Sequence, residues 1–252
     1  MPELSIIVPS LGKTRYINLL LSGLSRHTSL DFELLLEVYP KLDGELISCN
    51  FPVRLEVLDK PGMGYASNRG LDRARGDWVA WLNDDMVPLP SWANFDGRTS
   101  KDHMLCWDLL EPIQGSFPPP CFAGSTPEDF SEEIATEAAV QHRESASPGK
   151  FFGTFICHHS LFDEQVRWDN DMSSTTDIEL PYRVFLHHPE VLFGRLGLSL
   201  YHFVHGSIRH HPELRLSGEE AQALFIKKFG ITTGEAYSRL NTRSLEMWNL
   251  KK

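Results

Sequence analysis

The chain has 252 residues, of which 41% are hydrophobic and 23% charged, with a formal net charge of −10. That composition belongs to a globular chain able to bury a full core, and the acidic excess argues against a nucleic-acid backbone as partner. The charge also sets a condition: an anionic substrate would need a divalent cation, or local Arg and Lys residues, beside it.

The four cysteines, Cys49, Cys106, Cys121 and Cys157, show no CxxC spacing, so a zinc knuckle is not expected. The opening MPELSIIVPS has neither the basic region nor the long apolar core of a signal peptide. No apolar run approaches the roughly 20 residues that span a bilayer. The expectation is a reduced, cytoplasmic protein, with peripheral membrane contact left open.

Along the chain, Leu4 to Val8 is a short apolar run ending at Pro9, the pattern of a buried strand. Thr14 to Arg26 places Ile17, Leu20, Leu21 and Leu24 at helical spacing. Phe32 to Val38 and the alternating Val53 to Leu58 predict strands, and Pro61-Gly62-Met63-Gly64 a turn. Tyr65 to Arg75 predicts a helix stopped by Gly76, and Trp78 to Leu82 a buried strand. Helices alternating with apolar strands imply a mixed, mostly parallel sheet flanked by helices. Ligands of such sheets bind beyond the carboxyl ends of the strands, where Pro9-Ser10 and Asn83-Asp84-Asp85 lie.

Residues 87–150 change character: they are rich in Pro, Ser and acidic residues, with a predicted helix from Pro127 to His142, and read as a long functional loop. Phe151 to His158 is again apolar, Thr176 to Leu186 predicts a helix, and Ser199 to Val204 a strand. Gly218 to Phe229 and Thr233 to Leu250 predict two amphipathic C-terminal helices.

Several residues carry chemistry on their own account. Adjacent Asp84 and Asp85 at a strand end suit a hard cation that bridges a diphosphate, although a solvated acidic turn has the same composition. Thr176-Asp177-Ile178-Glu179 has the form of a capping box, with Pro181 in the first turn. Alternatively, a helix N-terminus would keep Asp177 ionised as a general base. His202 and His205 lie on opposite faces if the strand runs through both, so one of them is the candidate metal ligand. The pairs His158-His159, His187-His188 and His210-His211 read as surface or core residues. Asp169-Asn170-Asp171 lacks the glycine and glutamate of a calcium loop, and Gly62-Met63-Gly64 lacks the full dinucleotide spacing. There is no Walker A loop, HExxH or GxSxG.

In order and spacing, these segments resemble family 2 glycosyltransferases. The residues that carry the resemblance are Ser5-Ile6-Ile7-Val8-Pro9-Ser10, Gly64-Tyr65-Ala66-Ser67-Asn68-Arg69-Gly70-Leu71 and Trp78 through Asn83-Asp84-Asp85. Further on come Gly153-Thr154-Phe155, Trp168 and Thr176-Asp177-Ile178-Glu179-Leu180-Pro181-Tyr182-Arg183. The resemblance implies a GT-A fold with a nucleotide-binding half over residues 1–90, an acceptor half over 91–215 and a helical tail over 216–252. It implies hexosyl transfer from a UDP-, GDP- or dTDP-linked sugar to a glycan, lipid-linked or small-molecule hydroxyl, inverting, with Mn2+ or Mg2+. Carried over by position, Pro9, Ser10, Glu37, Asn68 and Asp84 would border the nucleotide, and Asp85 with His205 or His202 would hold the metal. Asp177 would be the catalytic base, and Gly153 would lie in the acceptor site. Trp107 and Trp168 are candidate sugar platforms, with core packing as their plainer role.

The chain departs from the family pattern at Glu37, Ser67, Asn83 and Thr176. Those departures fit a rival from another class, a non-catalytic domain that binds a nucleotide or glycan. A sugar-phosphate nucleotidylyltransferase would need a Gly-rich N-terminal loop, and Pro9-Ser10-Leu11-Gly12-Lys13 has a single glycine.

Overall fold

In the computed structural model, strand β1 (Leu4–Ser10) is buried from end to end because both of its faces are covered. Leu4, Ile6 and Val8 turn to one side. There they meet Ile17, Leu20, Leu21 and Leu24 of helix α1 (Thr14–His27), the apolar stripe expected from the sequence. Ile7 turns to the other side and packs with Leu71 of α2 (Met63–Arg73). The structure describes residues 1–95, 97–113, 120–170, 172, 175–204, 206, 208, 211, 214 and 216–250.

Strand β1 pairs in parallel with β2 (Phe32–Val38) and with β4 (Trp78–Trp81), and β2 pairs in parallel with β3 (Val53–Val57). Beyond β4 the sheet continues through β8 (Phe155–His158) to β6 (His103–Leu110), β9 (Leu192–His202) and β5 (Met86–Pro88). A short β7 (Ser147–Pro148) also pairs with β9. Strand β8 is antiparallel to both β4 and β6, while β6 and β9 run parallel. Two reversals restore the direction, so β1, β4, β6 and β9 all end on one edge of the sheet. The parallel ladders carry most of the paired residues, as the sequence predicts.

The expectation of a loop over residues 87–150 is corrected: the segment holds β5, β6, β7 and α3 (Glu132–Gln141), with Ser131 accepting from Ile134 N–H at its start. Strand β6 was hidden because Asp108 interrupts its apolar run. That carboxylate is buried and accepts from Arg195 of β9 twice, Nε to Oδ1 and Nη2 to Oδ2, each at 2.5 Å. Arg195 likewise hid the first half of β9, together with Gly194 and Gly197. A Cβ at Gly194 would lie 2.2 Å from the Ser147 carbonyl oxygen, so the β7–β9 approach requires glycine there.

Three further helices cover the second half: α4 (Thr176–His187), α5 (Gly218–Phe229) and α6 (Thr233–Leu250). The C-terminal pair falls at the predicted bounds, because a Ser217–Glu220 capping box opens α5 and Gly230, at φ 72°, closes it. Helix α6 is tied to the strands by polar bonds: Phe193 N–H donates to Ser244 Oγ and Phe151 N–H to Asn241 Oδ1, both at 2.8 Å. Lys228 of α5 reaches Asp169 and Glu179, which secures the entry to α4. Among the described residues no helix is long and apolar enough to cross a membrane.

Removing one partner of the Asp108–Arg195 pair leaves a buried charge uncompensated. Arg195→Met should therefore lower the stability to urea by about 3 kcal/mol, with the midpoint falling and the slope unchanged. An unchanged midpoint would mean that the pair contributes nothing to the β6–β9 junction.

Candidate functional site

The shared carboxyl edge of β1, β4, β6 and β9 collects Ser10, Asp84, Asp85, Glu111 and His202 from four separate strand ends. Ser10 donates its hydroxyl to Asp84 Oδ2 at 2.5 Å and accepts Gly12 N–H at 2.9 Å. Beside it, Asp85 Oδ2 accepts the Gly206 N–H at 2.7 Å, and the Asp85 carbonyl accepts Phe203 N–H at 3.1 Å. A Cβ at Gly206 would lie 3.0 Å from the Asp85 side chain and 2.7 Å from the Tyr16 ring, so only glycine can bring its N–H to that carboxylate.

The Nε2 of His202 stands 3.5 Å from Asp85 Oδ1, and its Nδ1 is 2.6 Å from Glu111 Oε1. Burial works against the imidazolium, but the carboxylates of Asp85 and Glu111 outweigh it and raise His202 to about 9. For Asp85, burial pushes upward, yet His202 and the Gly206 N–H win and hold it below the usual carboxylate range. Glu111 and Asp85 address opposite nitrogens of one ring, so the three cannot share a single ion. Among the described residues no group of three His, Cys, Asp or Glu side chains is arranged to hold a metal. Asp85 and His202 remain a fitting pair of donors: a hard oxygen and an imidazole nitrogen, with the second nitrogen fixed by a carboxylate, as metal-bound histidines usually are. A cation at Nε2 would displace the proton there. His205, the other histidine expected at the metal, lies outside the described residues.

Not every expected nucleotide contact is open to a ligand. Pro9 and Ser10 stand at the end of β1, as expected. Glu37 is 0% exposed and lies under α2, where Arg73 Nη1 donates to it at 2.7 Å. Burial pushes its carboxyl up to about 7 despite Arg73. The expectation that Glu37 borders the nucleotide is therefore corrected, since the odd-numbered positions of β2 face the helix and not the sheet edge. Asn68 spends its amide on the segment before α4: it donates to the Trp168 carbonyl at 2.7 Å, accepts Trp168 N–H at 3.0 Å and donates to the Asn170 side-chain Oδ1 at 2.9 Å. Its visible work is to pin the segment before α4 against α2.

Asp177 is half-buried in the first turn of α4. The capping-box expectation is corrected: Thr175 holds the cap position at φ 60° with no side-chain cap bond, and Glu179 accepts from Arg183 Nε at 2.5 Å. Pro181 is the sixth helical residue, so it stands in the second turn and cannot donate to the Asp177 carbonyl. Burial raises Asp177, partly offset by the Tyr237 hydroxyl, which donates to its Oδ2 at 3.0 Å.

A cavity of about 490 Å³ adjoins these groups, lined by Trp107, Asp108, Glu111, Lys150, Phe152 and Arg195 among others. Glu111 connects its wall to His202. Phe152 connects it to Asp177, for its ring lies on Tyr237 at 5.3 Å and 29°. Gly153, at φ 84°, follows Phe152 directly. Neither expected platform presents a face. Trp107 is 1% exposed and donates Nε1–H to Trp92 O, and Trp168 is buried between Phe155 and Trp81. Both are core residues, while Phe152 is 59% exposed. Glu111, Phe152 and Tyr237 were missed from the sequence because no local pattern marks them; only β6 and α6, once placed, bring them here.

Comparison with known proteins follows the same lines. A family model described as glycosyl transferase family 2 matches residues 45–94, the segment that holds α2 and the Asp84-Asp85 pair. An uncharacterized glycosyltransferase of Haemophilus influenzae is 32% identical over 91 residues, covering 34% of this chain and 31% of that protein. A crystal structure of S. aureus TarS 1–349 aligns with a TM-score of 0.55 at 15% identity, covering 97% of this chain and 71% of that one. A mycobacterial protein of known structure aligns with a TM-score of 0.59 at 17% identity, covering 91% and 76%. The chain thus has the GT-A fold, and the resemblance to family 2 glycosyltransferases is borne out over residues 45–94.

Proposed function

We propose that the protein transfers a hexosyl group from a nucleoside diphosphate sugar to an acceptor hydroxyl. The observation that carries this is the convergence of Ser10, Asp84, Asp85 and His202 on one sheet edge, beside a cavity whose far wall leads through Tyr237 to Asp177. UDP is the first nucleotide to try, because the S. aureus TarS fragment has the same fold in its complexes with UDP and with UDP-GlcNAc.

Asp177 takes the proton of the acceptor hydroxyl as its oxygen bonds to the anomeric carbon. The bond from that carbon to the diphosphate breaks with inversion, and the nucleoside diphosphate leaves. A carboxyl raised by burial is a stronger base than an exposed one, so its environment suits that task. Asp85 and His202 would hold a divalent cation, Mn2+ by the mixed oxygen and nitrogen donors, with Mg2+ as the harder alternative. Such an ion supplies positive charge to the leaving diphosphate, which a chain of net charge −10 otherwise repels. Glu111 fixes the tautomer and tilt of His202. Residues 1–90 would then serve the nucleotide and residues 91–215 the acceptor.

A thermal-shift panel of UDP, GDP and dTDP, each with Mn2+, Mg2+ or EDTA, tests donor and metal together. UDP with Mn2+ at about 100 times its dissociation constant should stabilise the fold by roughly 2.7 kcal/mol, and EDTA should remove the shift. Asp85→Ala should lose the metal-dependent shift while folding normally. No shift with any nucleotide would sink the donor assignment and favour a binding domain for another ligand. Asp177→Asn should keep nucleotide binding and lower sugar transfer by about 10²-fold or more; full turnover in that variant would remove Asp177 as the base.

A further inference from the structure

Helix α6 enters the site at one atom. The Tyr237 hydroxyl donates to Asp177 Oδ2 at 3.0 Å, across 60 residues of sequence. The phenol is itself constrained: its ring is stacked on Phe152. A phenol has one proton to give. Here that proton goes to the Asp177 carboxylate. Ser244 and Asn241, bonded to the Phe193 and Phe151 N–H groups, hold α6 in the register that this contact needs.

We propose that Tyr237 is a positioning residue for the base, its hydroxyl fixing the Asp177 carboxylate in the orientation from which it takes the acceptor proton. The role rests on Asp177 being that base. Burial and Asp177 together hold the phenol well above its ordinary range, so it stays a donor at any working pH. Asp177 itself is pushed up by burial. Tyr237 from α6 and the backbone N–H groups of Asp177 and Ile178 from its own helix oppose that rise. Beyond Tyr237 the next titratable group is Cys106 of β6, whose thiol burial raises to about 12, leaving it neutral.

Tyr237→Phe keeps the ring and its stacking and deletes only the hydroxyl. A hydrogen bond to the ionised form lowers a carboxyl pKa, so its loss must move the Asp177 midpoint upward. The midpoint can be followed by carbon-13 NMR of the carboxyl groups, with Asp177 identified by the signal missing in Asp177→Asn. The expected rise in Tyr237→Phe is about one unit. UDP release from UDP-GlcNAc with Mn2+ should fall about tenfold at neutral pH, its acidic limb moving to higher pH in step. Mn2+-dependent UDP binding should stay as in the unaltered chain. An unmoved midpoint would overturn the proposal, and so would a loss of UDP binding that accounts for the lost rate. If Asp177→Asn is inactive while Tyr237→Phe turns over normally, the role of Tyr237 fails alone. If Asp177→Asn turns over normally, the base assignment fails and Tyr237 has nothing to position.

Discussion

The parallel pairing of β6 with β9 decides where everything else can stand. Both strands join the sheet beyond β8, which runs against its neighbours on either side. Their common direction delivers Glu111 and His202 to the edge where β1 and β4 deliver Ser10 and Asp85. Had β6 entered in the opposite sense, its carboxyl end would lie a strand length away, about 25 Å for eight residues, and His202 would lose Glu111. The Asp108–Arg195 pair makes that choice specific, since two buried charges must meet across the ladder for either to be tolerated.

Buried and half-buried carboxylates recur in a chain that is already acidic. Each is stabilised by a different device, and the device governs what it can do. Asp84 accepts a serine hydroxyl, while Asp85 has a backbone N–H and the His202 ring, which hold its carboxyl below the usual range at the sheet edge. Glu37 has an arginine but lies beneath a helix, where solvent loss wins. Asp177 has a phenol at the opening of α4. Charge retained near the open edge suits cation binding, whereas a carboxylate with raised proton affinity suits proton uptake.

The legible part of the fold was the part written in local pattern. Strand β2 and both C-terminal helices fall at their predicted bounds, because unbroken apolar runs, a capping box and a stop glycine act over a few residues. Strand β6 and the first half of β9 escaped because Asp108 and Arg195 look like surface residues until each is seen facing the other. The site divides in the same manner. Ser10 and the Asp84-Asp85 pair follow from a strand followed by polar residues. Glu37 misled because period two puts it on the helix side of β2, a matter of one residue in register. The two tryptophans misled because aromatic size says nothing of which face is covered. Phe152 and Tyr237 carry no sequence signature at all.

The docking of α6 has a consequence for the order in which the molecule becomes competent. During synthesis the N-terminal segments emerge and fold first, and β1, β4 and their helices form a coherent parallel unit among themselves. Tyr237 follows all of these in the chain. A nascent chain at that stage has the Ser10–Asp84 edge but lacks the helix whose Tyr237 hydroxyl reaches Asp177. The fold thereby completes this region in stages: the Ser10–Asp84 bond needs only β1 and the end of β4, Asp85 meets His202 only when β9 has joined the sheet, and the Tyr237–Asp177 contact waits for α6.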